Sequence, residues 1–102
     1  MHRRTVFFER PELNRLLRFY GHMVAAGEWR DYALDAGPDF ALFSVYRRTS
    51  EAPLYQIEKR PDSRQGPYSV RANDGRVLRR GHDLERVLAV LVPRHMRVVS
   101  AD

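Results

Sequence analysis

The stretch "FALFSVYRR", residues 40–48, carries apolar side chains at both odd and even positions. A strand with one face in water alternates apolar and polar residues, whereas a strand covered on both faces is apolar throughout. The stretch therefore predicts a strand in the interior of a sheet. Since an interior strand needs a partner on each side, we expect the neighbouring segments to be strands as well.

The segments on either side of this stretch alternate with a period of two, which is typical of strands. They are "EWRDYALDA", residues 28–36, and "LYQIEKR", residues 54–60. In the first segment the alternation puts Tyr32 and Leu34 on the face that helices are expected to cover. The opposite, outer face of that strand receives Trp29, Asp31 and Asp35.

A hairpin is predicted from "YSVRANDGRVLRR", where two alternating runs flank turn-forming residues. A two-residue turn at Asp74 and Gly75 would set Val70 opposite Arg79. A three-residue loop with Gly75 in the left-handed conformation would set Val70 opposite Leu78 instead. We choose the three-residue loop. This register places four side chains on the outer face: Ser69, Arg71, Val77 and Arg79.

Two segments have the 3.6-residue period of a helix with one buried side. The first, residues 9–27, has Glu9 in position to cap its start and Gly27 to end it. Its apolar positions are Leu13, Leu16, Leu17, Tyr20, Met23 and Val24. The second, "GHDLERVLAVLVP", begins with Asp83 as its cap and ends at Pro93. Its apolar positions are Leu84, Val87, Leu88 and Leu91.

The order of elements is helix, strands, helix, with "MRVVS" at residues 96–100 as a candidate short last strand. This order predicts an α+β fold. We expect an antiparallel sheet of about five strands in a meander, with the N-terminal and the C-terminal helix packed on one face. The chain has 102 residues and 12.0 kDa, the size of one domain spanning residues 1–102.

Several blocks of the sequence, taken in order, are similar to one family. They are "VFFERPELN", "MVAAGEWRDYALD", "RRTSEAPLYQIEK", "QGPYSV" and "RGHDLERVLAVL". Over about residues 6–99 the chain resembles the alphaproteobacterial family called domain of unknown function 2794. The resemblance implies a compact bacterial domain standing alone. It carries over no activity, cofactor or catalytic residue.

The composition and the N-terminal sequence indicate the cellular compartment. The chain has no cysteine, so it offers neither a disulfide framework nor a thiolate metal site, which suits a reducing cytoplasm. The opening "MHRRTVFFERPEL" lacks the apolar run of a signal peptide, and no segment approaches the roughly 18 apolar residues of a membrane span. We expect a soluble cytoplasmic protein that does not bind membranes.

The residues that could carry catalysis show no recognised pattern. Asp31 and Asp35 share a strand face but lie about 13 Å apart, too far to hold one ion. The histidines have no metal-binding spacing, and no serine lies in a nucleophile-elbow pattern. The four histidines are His2, His22, His82 and His95. We therefore expect no catalytic, cofactor-binding or metal-binding residue, and no enzyme.

A net charge of +5 and a pI near 10.2 make this a basic protein and favour anionic partners such as nucleic acid. Scattered surface arginine is the competing interpretation, because only Lys59 among the 18 basic residues is a lysine, as GC-rich coding would produce. The candidate phosphate contacts are Arg15, Arg18, Arg47, Arg48, Arg79 and Arg80.

The outer sheet face suggests a contact with another protein. Exposed apolar and aromatic side chains rimmed by arginine are typical of interfaces. The candidate interface residues are Trp29, Phe40, Leu42, Tyr46 and Leu54. The loop "TSEAP", the carboxyl terminus or a helix could instead cover this face. The leading hypothesis is a non-catalytic protein-interaction module that binds an unknown protein or forms a homodimer. The alternative is a nucleic-acid-binding accessory protein.

Overall fold

A computed structural model describes residues 5–48, 52–93 and 95, and within them the chain forms six strands and two helices. The predicted strand at residues 96–100 lies outside the described residues. The elements in chain order are β1 (Thr5–Val6), α1 (Arg10–Ala25), β2 (Asp31–Pro38), β3 (Ala41–Tyr46), β4 (Tyr55–Lys59), β5 (Tyr68–Ala72), β6 (Val77–Gly81) and α2 (Leu84–Ala89).

The six strands form one antiparallel sheet in the order β1-β2-β3-β4-β5-β6. The predicted α+β class and antiparallel meander are confirmed, with six strands rather than five. The extra strand is β1, which pairs Thr5 with Pro38 and Val6 with Gly37. Sequence periodicity missed it because two residues are too few to show an alternation.

Strand β3 lies inside the sheet, between β2 and β4, as its sequence predicts. Phe43 faces Leu34 on one side and Ile57 on the other. Phe43 and Val45 are at most 1% exposed. The strand is therefore the centre of the core, and its neighbours protect both of its edges.

Helix α1 begins and ends where its sequence predicts. Glu9 is the N-cap, and its backbone N–H donates to Oε1 of Glu12 at 2.7 Å. Leu16 and Met23 are the buried residues of the helix. Val24, expected on the same stripe, is 40% exposed because it lies about 100° around the helix from Met23.

Both helices contribute to one core on one face of the sheet. Leu16 and Met23 of α1 and Val87 and Leu88 of α2 belong to the same apolar cluster as Phe43. Besides Val6 of β1, the sheet residues of that cluster are Ala41, Phe43, Val45, Ile57 and Val70, and pairing places these five on one face. We call this the helix face and its opposite the outer face.

The predicted hairpin register is correct next to the loop and wrong beyond it. Gly75 is left-handed with φ of 90°, and the N–H of Ala72 donates to the carbonyl of Arg76 at 2.8 Å, as a three-residue loop requires. A bulge then shifts the pairing, so Val70 lies opposite Arg79 instead of Leu78. As a result Arg80, and not Arg79, lies opposite Ser69 on the outer face.

Candidate functional site

The outer face is best described by the rows of side chains that strand pairing creates across it. One row contains Asp35, Leu42, Glu58, Ser69 and Arg80. The next contains Ala33, Ser44, Gln56, Arg71 and Val77. Beyond the second row, Asp31 lies opposite Tyr46. Polar and charged side chains thus occupy the middle of a sheet face, where apolar ones were expected to dominate.

Glu58 lies at the centre of this face and is only 3% exposed. Its Oε1 is 3.2 Å from Nη2 of Arg71 and 3.8 Å from Nη2 of Arg80, and its Oε2 is 3.2 Å from Nη2 of Arg60. Ser69 Oγ donates to Oε1 at 3.4 Å. We call Arg60, Arg71 and Arg80 the arginine cluster. Its three cations compensate the desolvation of one carboxylate.

Further contacts fix the arginine cluster in place. Nη1 of Arg80 donates to Ser63 Oγ at 3.1 Å and to the carbonyl of Gly66 at 3.4 Å. The guanidinium of Arg60 lies 4.8 Å from the centre of the Phe40 ring, a cation–π contact. Among the described residues Arg71 donates to Glu58 alone, and its side chain is 33% exposed. Arg71 therefore keeps N–H donors for a group outside the chain.

The polar groups beneath the surface are already paired. Gln56 Nε2 donates to Ser44 Oγ at 3.1 Å, next to the Glu58 cluster. Among the described residues, no buried side-chain nitrogen or oxygen lacks a hydrogen-bond partner. A second surface could therefore cover this face without leaving a buried polar group unsatisfied, which is the usual cost of burying such groups.

The outer face has opposite charges at its two sides. Asp31 and Asp35 both point outward from β2, as the alternation predicts. The arginine cluster lies on the side of β4, β5 and β6, where its three cations share the carboxylate of Glu58 and where Asp39 and Asp62 line a depression with Arg60 and Arg80. Half-buried Leu42 and Tyr46 on β3 separate the two sides. The face therefore carries acidic side chains on β2 and guanidinium groups on its other side.

Trp29 does not lie on the outer face, so that part of the interface prediction is wrong. It is 4% exposed and packs edge-on against Phe19 of α1, with 5.5 Å between ring centres. Strand β2 begins only at Asp31, and the N–H of Trp29 donates back to the carbonyl of Met23 at 3.3 Å. The two-residue alternation therefore does not extend to this position.

The other four candidate interface residues are half-buried. Leu42 and Tyr46 lie on the outer face. Phe40 lies against the guanidinium of Arg60, and Leu54 packs against the core. The apolar surface that remains open is therefore smaller than predicted, and it is centred on β3.

The candidate phosphate contacts are spread over the molecule. Arg15 and Arg18 are exposed on α1, beside a shallow depression of about 310 Å³ that also includes Glu85. Arg47 follows β3 and lies 3.9 Å from Glu28. Arg79 is exposed on β6, and Arg48 is exposed next to Arg47, whereas Arg80 belongs to the arginine cluster. These six residues do not form one basic surface.

A second polar cluster, which sequence analysis missed, joins α1 to the sheet. Lys59 Nζ donates to Glu12 Oε1 at 2.7 Å and to the carbonyl of Phe7 at 3.1 Å. The hydroxyl of Tyr68 donates to the other carboxylate oxygen of Glu12. Lys59 and Tyr68 are strand neighbours. The sequence signal that could have revealed this cluster is the presence of two polar residues at helix-face positions of adjacent strands.

The contacts in this cluster shift two pKa values. Burial alone would raise the pKa of Glu12, but the hydrogen bonds from Lys59, Tyr68 and the Glu9 backbone, with the charge of Lys59, lower it. Burial, followed by the hydrogen bond to Glu12 and its negative charge, raises the pKa of Tyr68 far above its ordinary value. Glu12 is therefore held ionised and Tyr68 neutral. In these protonation states both Lys59 and Tyr68 donate to Glu12 and hold the first turn of α1 on the sheet.

The described residues offer no group of three or more histidine, cysteine or acidic side chains that could hold a metal ion. In the same part of the chain, no helix is both long and apolar enough to cross a membrane. Two open depressions of about 570 and 550 Å³ flank Tyr68; the first also includes Lys59 and Pro61, and the second Glu12 and His82.

The fold and the outer face together define a small α+β domain with two helices on one face of a sheet and a charged, partly open opposite face. The chain belongs to the family described as Protein of unknown function (DUF2794), which matches residues 6–88. This confirms the resemblance noted in the sequence. Searches of curated proteins and of solved structures gave no match.

Proposed function

We propose that this protein is a small protein-interaction module that binds another protein surface through its outer face. The observation that carries the proposal is Glu58, buried with three guanidinium groups at the centre of a sheet face that neither helix covers. A solvent-facing sheet needs no such cluster. A face that is covered by a partner does, because its polar groups must be satisfied when water leaves.

The side chains of the outer face also suit a protein surface. Arginine and tyrosine are enriched at protein interfaces, and the rim of such interfaces is polar. The guanidinium groups are held by Glu58, Phe40 and Ser63, so less conformational entropy is lost when they bind carboxylates of a partner. Leu42 and Tyr46 supply the apolar contact between the charged sides.

A photo-crosslinking amino acid at Tyr46, introduced in the living source cells, tests this proposal. We expect a discrete protein adduct from this position and its loss when Arg71→Ala is added. The matched control is the same amino acid at Val24, which is 40% exposed on α1 and should give no discrete adduct. Absence of an adduct at Tyr46, or equal adducts from both positions, would contradict the proposal.

A nucleic-acid-binding role is the second candidate, and exposed Arg15 and Arg18, three residues apart on α1, favour it. If both contact phosphate, replacing them with glutamate should lower the slope of log affinity against log salt by about 2, measured with random-sequence duplex DNA and RNA. Arg76→Glu on the exposed hairpin loop is the control. An unchanged slope would remove this candidate.

A further inference from the structure

We propose that the partner of the outer face is a second copy of this chain, packed face to face about a two-fold axis. This inference rests on the proposed function and names the occupant of the same surface. It is argued from the distribution of charge. A surface with Asp31 and Asp35 on one side and the partly exposed guanidinium group of Arg71 on the other is complementary to itself after a half-turn.

Strand pairing specifies where that axis would run. Neighbouring strands are about 4.8 Å apart, so an axis parallel to the strands and above the gap between β3 and β4 brings β5 of one copy over β2 of the other. Such an axis places each row of side chains opposite the same row of the second copy. Arg71 then lies opposite Ala33 of the second copy, because the two residues share a row. Two sheets with nearly aligned strands are a common packing arrangement.

This arrangement places Arg71 between two carboxylates. Ala33 is flanked along β2 by Asp31 and Asp35, whose side chains point to the same outer face. Arg71 keeps N–H donors that Glu58 does not use, and the symmetry forms the contact twice. A charge-assisted guanidinium–carboxylate contact of this kind fixes the relative orientation of two surfaces.

The remaining contacts agree with the same axis. Strand β3, with Leu42 and Tyr46, lies next to the axis, so the apolar side chains fall in the middle of the contact. Ser44 and Gln56, which exchange places across the axis, already bond to each other within each copy. The acidic side of one copy covers the basic side of the other. The same axis places Asp35 opposite Ser69, next to Glu58, whose charge the arginine cluster compensates.

Charge reversal of single residues tests the dimer. By sedimentation velocity over a hundredfold dilution, we expect the wild-type chain to pass from dimer to monomer. Asp35→Arg and Arg71→Glu should each be monomeric at concentrations where the wild type is dimeric. An equimolar mixture of the two variants should recover the dimer, because both contacts then join opposite charges. Glu85→Arg and Arg86→Glu on α2, away from the outer face, should leave the dimer unchanged.

Each result bears on the inference. A wild-type chain that stays monomeric, an Asp35→Arg variant that still dimerises, or folded variants that fail to recover the dimer on mixing would overturn it. Circular dichroism verifies folding. If Arg71→Glu does not fold beside Glu58, the test is the comparison of Asp35→Arg with Glu85→Arg, because both positions are exposed and both variants should fold. Loss of the dimer in Asp35→Arg alone would then support the inference. A monomer whose Tyr46 position crosslinks a different protein would refute the dimer and keep the proposed function.

Discussion

Glu58 is a carboxylate that the fold buries and surrounds with three guanidinium groups. The alternation in "LYQIEKR" predicts its place on the outer face. It could not predict that Arg60, Arg71 and Arg80 converge on it, because the position of Arg80 depends on the bulge opposite Val70. A period of two carries no information on where such a bulge occurs, so the centre of the candidate site was not visible in the sequence.

Removal of the Glu58 carboxylate should destabilise the fold. In Glu58→Ala the three cations face one another without their shared anion, and we expect the free energy of unfolding to fall by about 3–5 kcal/mol. Urea denaturation at neutral pH measures it. Glu85→Ala, at an exposed site, serves as the control and should change the free energy by less than about 0.5 kcal/mol. A loss equal to that control would mean that solvent already screens the cluster.

Glu12 should make the protein sensitive to acid. Its pKa in the folded chain is lowered below the ordinary 4.5, so its ionised form stabilises the fold above pH 4.5. That contribution is lost as the pH falls through the lowered folded pKa. Glu12→Gln leaves Lys59 without its anion and should cost about 1–3 kcal/mol at pH 7.

The same variant should approach wild-type stability as the pH falls through the lowered folded pKa of Glu12, where the wild-type carboxylate takes up its proton. Urea unfolding of both proteins at several pH values gives the comparison. A difference that stays constant from pH 7 to the acid range would show that the Glu12 carboxylate contributes no pH dependence.

Among the elements, α1 was predicted well from its long periodic pattern, and the start of α2 at its Asp83 cap was also correct, but α2 ends at Ala89 and not at Pro93. Elements set by tertiary geometry were not predicted. Helix α1 shows four turns of apolar periodicity, a cap at Glu9 and a proline in its first turn, and its bounds follow. The two-residue β1 has no pattern of its own and exists because the edge of β2 is available. The pairing of β6 with β5 failed where the bulge begins.

The connection from β4 to β5 should tolerate no side chain at Gly66. Its φ is +125°, and an added methyl group would overlap the backbone of Gly81. We expect Gly66→Ala to lower the free energy of unfolding by more than about 2 kcal/mol. Gly21→Ala is the matched control: nothing lies within 4 Å of the added carbon in α1, so the helix should gain about 1 kcal/mol. Similar values for both variants in thermal or urea unfolding would contradict this account.

At the scale of the whole molecule, a net charge of +5 indicated an anionic partner, but the charge is not gathered on one surface. Arg15 and Arg18 lie on α1, which packs on the helix face, whereas Arg80 lies on the outer face. The sequence predicted the face of most strand residues, but not that of Trp29 or Arg79. It could not predict how the excess charge divides between faces, because that depends on which cations are neutralised by Glu58.

Because Lys59 helps to hold α1 on the sheet, its chemical reactivity should report on local opening of the helix. Lys59 is the only lysine of the chain, and its side chain is 11% exposed while its ammonium group contacts Glu12 and Phe7. Because this nitrogen is hydrogen-bonded to Glu12 and Phe7, we expect an amine-acylating reagent to modify it faster once the first turn of α1 detaches from the sheet. The rate of acylation at Lys59, followed by peptide mass spectrometry, should therefore track that local opening and rise sharply in Glu12→Gln.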